Sequence, residues 1–527
     1  MDFLNLRRSR WRDGARRIAA LMVSALGLAA CQPGGPVQRS GLGHRLAAGP
    51  VKALVASADG AWLATLDGCV EVKGRFLPPG TATCDLKVIP TRGGEPRLVA
   101  KAVPTLPHGA GFAPEGSTLA ALADYDFESG AGTLVLVSEG VAREAARGVT
   151  FHGFVPGGGG SVAAVAQGRL VVIGPDGRLL GRHAAPSLGS FELRKTADGA
   201  VVGLGRAPGA RGGELFQFDL RHLDRAGGAI ADDTADFSMA PGGQAFAYSV
   251  TSRRGTELFL AGGKTRRPVR VAGGARSFAF APDGGALAWI ADAAPGKQGD
   301  LFVAAPGGAP QRLGREVGEH RWASAASRLA WLEQYDPRGR SGLLGVGGPG
   351  VAARRFGKHV TEFELSPDGA QVAFLRHTVD GGYSVDLWAG DVMGEPRKVA
   401  RGVFGFSFSP DNRWLYFRTR CTRNGDACDL ERVAAGGAEA KPREIARGVK
   451  SFEFDPRDAG RLLLTWQRAD LVALDFGVWR DGKLVQVDRA ALPGSIRFLG
   501  PDSKRVAYAV VQAKRAGAYV AIVPPPG

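Results

Sequence analysis

The segment FELSPDGAQVAFLRH (residues 363–377) contains the pattern on which the fold prediction depends. Before its proline, apolar and polar residues alternate, with Phe363 and Leu365 apolar, as in a strand with one buried face. The proline fixes one backbone angle, and the Asp-Gly that follows closes a tight turn. An aliphatic-Ala-aromatic step at residues 372–374 then begins a second strand. The segment is therefore predicted to form a β-hairpin.

This turn recurs along the chain at intervals of about 41–46 residues, after a first interval of about 56. Clear and degenerate copies lie at 57–60, 113–116, 155–157, 197–199, 240–243, 281–284, 324–325, 366–369, 409–412, 455–456 and 500–503. Two further strands follow most hairpins, and four strands in about 43 residues correspond to one propeller blade. The sequence predicts an all-β fold, a β-propeller of about eleven four-stranded blade repeats.

Over residues 44–527 the repeated Ser-Pro-Asp-Gly turn and aliphatic-Ala-aromatic strand resemble the TolB-type and WD-repeat-like β-propellers. The Gly-His and Trp-Asp signatures of true WD repeats are missing from the copies. The resemblance implies partners among the proteins of the bacterial cell envelope, without choosing one of them.

The number of blades also bears on how they are arranged. Eleven exceed the four to eight usual for one ring, so two tandem propellers, residues 44–275 and 276–527, are favoured over a single wide ring. The sequence ends after the third strand of its last copy, and residues 44–50 resemble fourth-strand endings such as 398–402. We expect residues 44–50 to supply the closing strand.

Residues 1–30 are predicted to be a lipoprotein signal peptide. Six arginines lie within residues 7–17, and the apolar run from Ile18 to Ala30 is too short for a stable membrane anchor. The run ends Leu-Ala-Ala before Cys31, which resembles the lipobox of bacterial lipoproteins. This resemblance implies cleavage before Cys31, palmitate-type acylation of that residue, and a tether over residues 31–43.

Three alternatives stay open at the N-terminus. The chain could be a soluble secreted protein whose signal peptide ends at a cysteine, and the pair Arg7-Arg8 leaves twin-arginine export open. Gln32, where the inner-membrane sorting rule of enteric lipoproteins expects Asp, points to the outer membrane. The expected location is therefore the periplasmic face of the outer membrane, with the cell surface as the alternative.

Composition and charge exclude several classes of protein. Apolar residues make up 44% and charged residues 22% of the 527 residues, as in a globular chain. The formal net charge is +16, and removing residues 1–30, with six basic and two acidic residues, lowers it to +12. Lys and Arg are scattered rather than arranged in a stripe with aromatics, so no nucleic-acid partner is expected. Attraction to anionic lipid or polysaccharide remains.

Four cysteines remain besides Cys31, and they form two close pairs. Cys69 lies near Cys84, and Cys421 lies near Cys428. Near-neighbour pairing is the simplest of the three connectivities, and an exported location permits disulfides. The blade alignment places both pairs across the same loop, between the second and third strands. Zinc is the competing interpretation, but neither CxxC spacing nor a nearby histidine supports it.

No residue is predicted to be catalytic or to bind a cofactor or metal. The strand-GxSxG-helix elbow of serine peptidases is not found. Asp283, Asp368, Asp411 and Asp502 of the repeated turns are explained by turn chemistry. Four histidines are candidate metal ligands in a propeller lyase, although histidines replacing core Phe or ending strands are the more economical interpretation; they are His108, His152, His320 and His359.

These observations favour a lipid-anchored, non-catalytic propeller that binds other envelope proteins. The alternative is a surface propeller that binds a glycan or small ligand, for which three tyrosines in second-to-third-strand loops are the only hint, namely Tyr125, Tyr335 and Tyr383. A metal-dependent lyase comes last.

Overall fold

The structure is a computed structural model. It describes residues 38–39, 43–74, 77–105, 109–183, 187–209, 212–225, 227–252, 255–262, 267–275, 277–291, 298–377, 385–436, 441–468 and 473–523. The predicted signal peptide and the lipidation site Cys31 lie outside these residues. Regular structure in the described part is almost entirely β, with two one-turn 3-10 helices at Leu220–His222 and Ala513–Arg515.

The strands form antiparallel meanders of four, which we call units and number in chain order. Strand β1 (Gln38–Arg39) and strand β2 (His44–Ala48) precede them. Unit 1 consists of β3 (Ala53–Ala56), β4 (Trp62–Glu71), β5 (Ala82–Pro90) and β6 (Arg97–Pro104). Unit 2 consists of β7 (Ala110–Phe112), β8 (Leu119–Asp126), β9 (Ala131–Ser138) and the first part of β10 (Val141–Phe154). Unit 3 consists of the rest of β10, β11 (Val162–Ala166), β12 (Arg169–Ile173) and β13 (Leu179–Arg182).

Units 4 to 6 continue the same order along the chain. Unit 4 consists of β14 (Ser190–Lys195), β15 (Val201–Arg206), β16 (Gly213–Asp219) and the first part of β17 (Ala229–Met239). Unit 5 consists of the rest of β17, β18 (Phe246–Ser252), β19 (Gly255–Ala261) and β20 (Val269–Gly273). Unit 6 consists of β21 (Ser277–Phe280), β22 (Leu287–Ala291), β23 (Gly299–Ala304) and β24 (Gln311–Val317).

Units 7 to 9 include the longest strand, β28. Unit 7 consists of β25 (Glu319–Trp322), β26 (Leu329–Asp336), β27 (Ser341–Gly348) and the first part of β28 (Val351–Leu365). Unit 8 consists of the rest of β28, β29 (Gln371–His377), β30 (Val385–Asp391) and β31 (Arg397–Ala400). Unit 9 consists of β32 (Phe406–Phe408), β33 (Trp414–Thr419), β34 (Cys428–Ala434) and β35 (Arg443–Val449).

Units 10 and 11 share one sheet, which both ends of the described chain join. They consist of β36 (Ser451–Asp455), β37 (Asp458–Gln467), β38 (Leu474–Arg480), β39 (Lys483–Ala491); and β40 (Arg497–Leu499), β41 (Arg505–Val510), β42 (Gly517–Ile522) with β2. Strand β2 pairs antiparallel with β42, placing Arg45 opposite Tyr519, and β1 pairs in parallel with β39. Unit 11 therefore takes its fourth strand from the N-terminal part of the chain.

A residue with a positive φ ends most outer strands and turns the chain into the inner strand of the next unit. In β10 this residue is Gly148 (φ 63°), and in β28 it is His359 (φ 61°). The next side chains, Val149 and Val360, are fully buried. The left-handed region is cheapest for glycine. Glycine holds the position again at Gly274, Gly402 and Gly448, but other residue types hold it at Ala102, Asp233, Glu316 and Ala490.

The hydrophobic core consists of clusters between consecutive units. Unit 7 packs on unit 8 through Leu332 and Phe363, for example, and unit 10 packs on unit 11 through Phe476 and Tyr508. Equivalent clusters join each consecutive pair from unit 1 to unit 11. A further cluster joins unit 11 to unit 1. Each sheet hides both faces against its neighbours, and the fold is a β-propeller.

The order of this packing disagrees with the tandem arrangement favoured by the sequence. Two separately closed rings would each need an apolar interface between their own first and last sheets. Among the clusters of the described residues, none joins unit 1 to unit 5 or unit 6 to unit 11. Across the predicted boundary at 275/276, Leu258 packs with Leu287. The packing is that of one closed ring, because the interfaces follow the chain without interruption.

Polar contacts reinforce the junction between unit 11 and unit 1. Arg505 donates from Nη1 to Thr91 Oγ1 (3.0 Å) and from Nη2 to the carbonyl oxygen of Gly60 (3.2 Å). Gly60 lies so close to the next turn that a Cβ atom there would be 2.3 Å from the nitrogen of Gly500. The first and last repeated turns therefore touch, and a larger residue than glycine at position 60 would separate them.

Candidate functional site

The loops of the units lie on two opposite faces, because successive strands of a meander run in opposite directions. We call one the turn face: it carries the loops between first and second strands, such as 366–369, and those between third and fourth strands. The other, the loop face, carries the loops between second and third strands, including 72–81 and 420–427, and the connections between units. The repeated turns are thus all on one side of the molecule.

The turn-face aspartates act as turn-closing acceptors. Oδ1 of Asp368 accepts hydrogen bonds from Ser366 Oγ (2.6 Å) and Ala370 N (3.0 Å), and Oδ1 of Asp411 accepts one from Ser409 Oγ (2.6 Å). Asp283 and Asp502 accept from the backbone two residues on in the same way. The interpretation of these residues as turn chemistry is confirmed.

The turns of neighbouring units also bond to each other. Ser327 Oγ donates to Asp283 Oδ1 at 2.6 Å, from unit 7 to unit 6. The backbone NH of Asp368 donates to Asn412 Oδ1 at 3.1 Å, from unit 8 to unit 9. The turn face is therefore held rigid both within and between its turns.

A cavity of about 600 Å³ opens on the turn face between units 9 and 10. Its walls come from the turns of both units and from β33, β34 and β37, and they consist of Asp411, Arg413, Trp414, Arg432, Arg457, Asp458, Ala459, Gly460 and Asp481. This volume is within the range of small-molecule sites, about 300–1,000 Å³. We call it cavity 1.

Arg432 is the most elaborately held side chain of cavity 1. Its guanidinium carbon lies 4.1 Å from the ring centre of Trp414 in its own unit and 5.0 Å from that of Trp479 in unit 10. Nη1 donates to the hydroxyl of Tyr416 (3.2 Å), while the buried Nε has no hydrogen-bond partner. Two indole rings and a phenol thus fix this cation, and its other nitrogens donate to no atom of the described residues.

The carboxylates that line cavity 1 are already engaged by other arginines. Asp411 lies 3.6 Å from Arg413, and Asp481 lies 3.4 Å from Arg480. Asp458 is shared by Arg480 (3.4 Å) and Arg461 (3.7 Å). Within the described residues, neither Arg432 nor Arg457 has a carboxylate within 4.0 Å; Arg457 donates to the carbonyl oxygen of Ala58 (3.3 Å). Arg432 is therefore a cation of the cavity without a carboxylate partner, while the guanidinium of Arg457, which also lines the cavity, reaches the turn of unit 1.

A second cavity of about 580 Å³, cavity 2, adjoins the first between units 10 and 11 and shares Arg457 and Asp458 with it. Beneath it lies a buried ion pair, in which Arg461 Nη1 is 3.3 Å from Asp455 Oδ2. Asp455 also accepts from Ser503 Oγ (3.0 Å), which ties the turn of unit 11 to that of unit 10. The charged side chains of cavity 2 are thus largely engaged in contacts that stabilise the fold.

Two inner-strand carboxylates likewise serve the fold. Glu364 of β28 accepts hydrogen bonds from Ser407 Oγ (3.0 Å) and from the backbone NH of Phe408 (3.2 Å) in unit 9. Glu192 of β14 accepts one from the backbone NH of Met239 (2.8 Å) in unit 5. These carboxylates hold neighbouring inner strands together.

The three described candidate metal-binding histidines lie on three different strands. His152 and His320 lie on the inner strands of units 3 and 7, and His359 ends the outer strand of unit 7, while His108 falls outside the described residues. The described residues include no group of three or more His, Cys, Asp or Glu side chains placed to hold a metal ion. Burial lowers the pKa of His320 to about 4, so this imidazole is neutral at pH 7.

Both cysteine pairs are disulfides on the loop face. Cys69 and Cys84 join β4 to β5, and Cys421 and Cys428 join the end of β33 to β34, each with Cα atoms 4.0 Å apart. Two apolar side chains are exposed on this face, Val70 beside the first disulfide and Phe404 near the second. Phe404 reaches the second stapled loop, where a Cβ on Gly425 would be 2.5 Å from its ring.

The two described tyrosines lie on strands β8 and β26, not in loops as predicted, and both are partly buried. Tyr125 packs on the cluster between units 2 and 3 and meets Phe127 edge to face at 5.0 Å. Tyr335 packs on the cluster between units 7 and 8. Tyr383 lies outside the described residues. The hint of a glycan site in these loops is therefore not supported by the two that the structure describes.

Comparisons with known proteins add the following findings. No family model and no curated protein matches the chain. Among solved structures, it is similar to a eukaryotic initiation factor (12% identity, 68% of this chain and 93% of the other, TM-score 0.38). It is also similar to an oligogalacturonate lyase in complex with manganese (14%, 64% and 96%, 0.32) and to the tricorn protease (13%, 89% and 59%, 0.31). Similarity at TM-scores this low supports no conclusion about this chain.

Sequence reasoning did not find cavity 1. Its key residues, Trp414, Arg432, Arg457 and Trp479, come from two units and from positions at which the copies differ. A repeat pattern averages such positions away. A search for arginines that replace the usual residue of one blade would have found the two arginines.

No helix in the described part of the chain has the length and hydrophobicity to span a bilayer.

Proposed function

We propose that the protein is a non-catalytic β-propeller that binds other proteins of the cell envelope and is held at the outer membrane by lipid on Cys31. The loop face is the surface for this binding. Disulfides constrain two of its loops before any partner arrives, so less conformational entropy is lost on association. Exposed Val70 and Phe404 beside the disulfides offer apolar anchors. This pairing of constrained loops with exposed apolar side chains carries the proposal.

Affinity purification of the full-length, tagged protein after crosslinking in intact cells tests the partner. Phe404→Ser removes an exposed apolar side chain from the loop face. Met393→Ser is the matched control, because Met393 is even more exposed but lies between β30 and β31, on the turn face. We expect one envelope protein to be enriched with the wild type and with Met393→Ser, and at least fivefold less with Phe404→Ser. Equal enrichment with both variants would contradict the loop-face assignment.

The lipid anchor is tested separately. Labelled palmitate should enter the wild type and not the Cys31→Ser variant, and the variant should leave the membrane fraction. Incorporation into both proteins would contradict the anchor. Retention of the variant in the membrane would point to a second mode of attachment.

Binding of a glycan or small ligand is the second candidate function, and cavity 1 is the observation that favours it. The two functions use opposite faces, so one protein could perform both.

A further inference from the structure

Cavity 1 differs from an ordinary junction between turns in its balance of charge. Each of its three carboxylates is paired with Arg413, Arg461 or Arg480, whereas Arg432 and Arg457 have no described carboxylate within 4.0 Å. A guanidinium has five N–H donors, and of those on Arg432 only Nη1 is bonded, to Tyr416. Nε is buried beyond a ligand's reach, so an oxyanion would be bound by the terminal Nη groups of this cavity-lining side chain.

The orientation of Arg432 is fixed before any ligand binds. Trp414 and Trp479 hold the guanidinium plane between units 9 and 10, and Trp479 is almost fully buried. A planar, pre-oriented guanidinium pairs with a carboxylate or phosphate through two parallel hydrogen bonds. The cost of ordering a long side chain is therefore already met by the fold.

We propose that cavity 1 binds a small organic oxyanion, such as a sugar acid or sugar phosphate, whose anionic group pairs with Arg432 while Arg457 adds a second positive charge. The cavity, at about 600 Å³, suits a molecule of that size. This inference deepens the second candidate function and does not depend on partner binding at the loop face.

Isothermal titration calorimetry on the full-length protein in detergent tests the proposal with three matched probes. Glucose is neutral, glucuronate carries a carboxylate and glucose 1-phosphate carries a phosphate. We expect at least one anionic probe to bind at least tenfold more tightly than glucose, and the stronger of the two identifies the anionic group. Failure of both anions to bind more tightly than glucose would overturn the proposal.

Variants locate the binding. Arg432→Gln should weaken the anion at least tenfold, and Arg457→Gln should weaken it less, because Arg457 is not held between aromatic rings. Arg147→Gln removes an exposed arginine in unit 2 and should leave binding unchanged. If Arg432→Gln does not fold, as circular dichroism would show, Arg457→Gln decides alone. Unchanged affinity in the folded Arg432 and Arg457 variants would overturn the assignment to cavity 1.

The same variants separate this inference from the proposed partner binding. Arg432→Gln should leave enrichment of the envelope protein unchanged, because Arg432 lies on the turn face. Loss of the envelope partner with Arg432→Gln, without any loss of anion affinity, would contradict both assignments.

Discussion

The turn face and the loop face are built from the same strands but are stabilised differently. On the turn face, short turns of nearly identical sequence bond within themselves and to their neighbours, as Asp368 does with Ser366 and Asn412. On the loop face, two loops of differing length are held by disulfides. Repetition thus suffices where the turns are alike, and covalent links are used where the loops depart from the repeat.

The comparison also separates two kinds of recognition. The turn face is tightly bonded, and side chains such as Arg432 and Trp414 line a cavity there between two units. The loop face varies in its backbone and exposes Phe404. We therefore assign a small ligand to the first and a protein partner to the second. Four predictions test how far each face depends on its own bonding.

The largest effect is expected from Asp455→Asn on the turn face. Arg461 and Asp455 form an ion pair with side chains 6% and 0% exposed, so the variant removes the buried carboxylate of Arg461 and leaves it only the more distant Asp458, at 3.7 Å. We expect the free energy of unfolding, measured by thermal unfolding, to fall by about 3–5 kcal/mol. Asp481→Asn, at an exposed partner of Arg480, should cost at most about 1 kcal/mol. Equal losses for the two variants would show that the turn face does not depend on its buried charges.

The second effect is a pH dependence of stability that arises from His320, on a strand between the two faces. The folded-state pKa of His320, about 4, lies below the unfolded value of about 6.5, so protonation favours unfolding. The wild type should lose up to about 3 kcal/mol relative to His320→Phe as the pH falls from about 6.5 to 4, with no pH-dependent difference above that window. Melting curves of both proteins at several pH values measure it. Parallel pH profiles would contradict it.

The third effect concerns the loop face. The paired cysteines are separated by 15 residues in the first disulfide and by 7 in the second. The entropy of loop closure therefore predicts that replacing Cys69 and Cys84 by Ser lowers the free energy of unfolding by about 3 kcal/mol, and replacing Cys421 and Cys428 by Ser lowers it by about 2 kcal/mol. Melting temperatures of the two double variants should follow that order. Free thiols in an intact-mass measurement of the wild type would contradict the disulfides themselves.

The smallest effect is expected from a single repeated turn. Asp368→Ala removes the acceptor of two hydrogen bonds and should destabilise the protein by about 1–2 kcal/mol. Glu115→Ala changes the same position of the Ala-Pro-Glu-Gly turn, where the side chain is exposed, and should have almost no effect. A comparable loss for both would mean that the turn geometry, rather than the aspartate, holds the face together.

The strands and turns could be predicted because each depends on residues close in the sequence. Alternation in Phe363 and Leu365 marks a strand, and Ser366 reaches Asp368 within one turn. The cysteine pairs also followed from the repeat, since equivalent positions in two blades share a loop. Cavity 1 could not be predicted in this way, because Arg432 and Trp479 lie in different units and no local pattern links them.

The sequence by itself determined the β-propeller class of fold, the repeated turns and which cysteines are neighbours, because these depend on short-range periodicity and spacing. Only the tertiary structure decided how the units close. The preference for two rings rested on the usual number of blades, whereas the apolar faces of Leu258 and Leu287 pack across the proposed boundary. Closure depends on the angle at which each sheet packs on the next, and that angle is set by side chains distant in sequence.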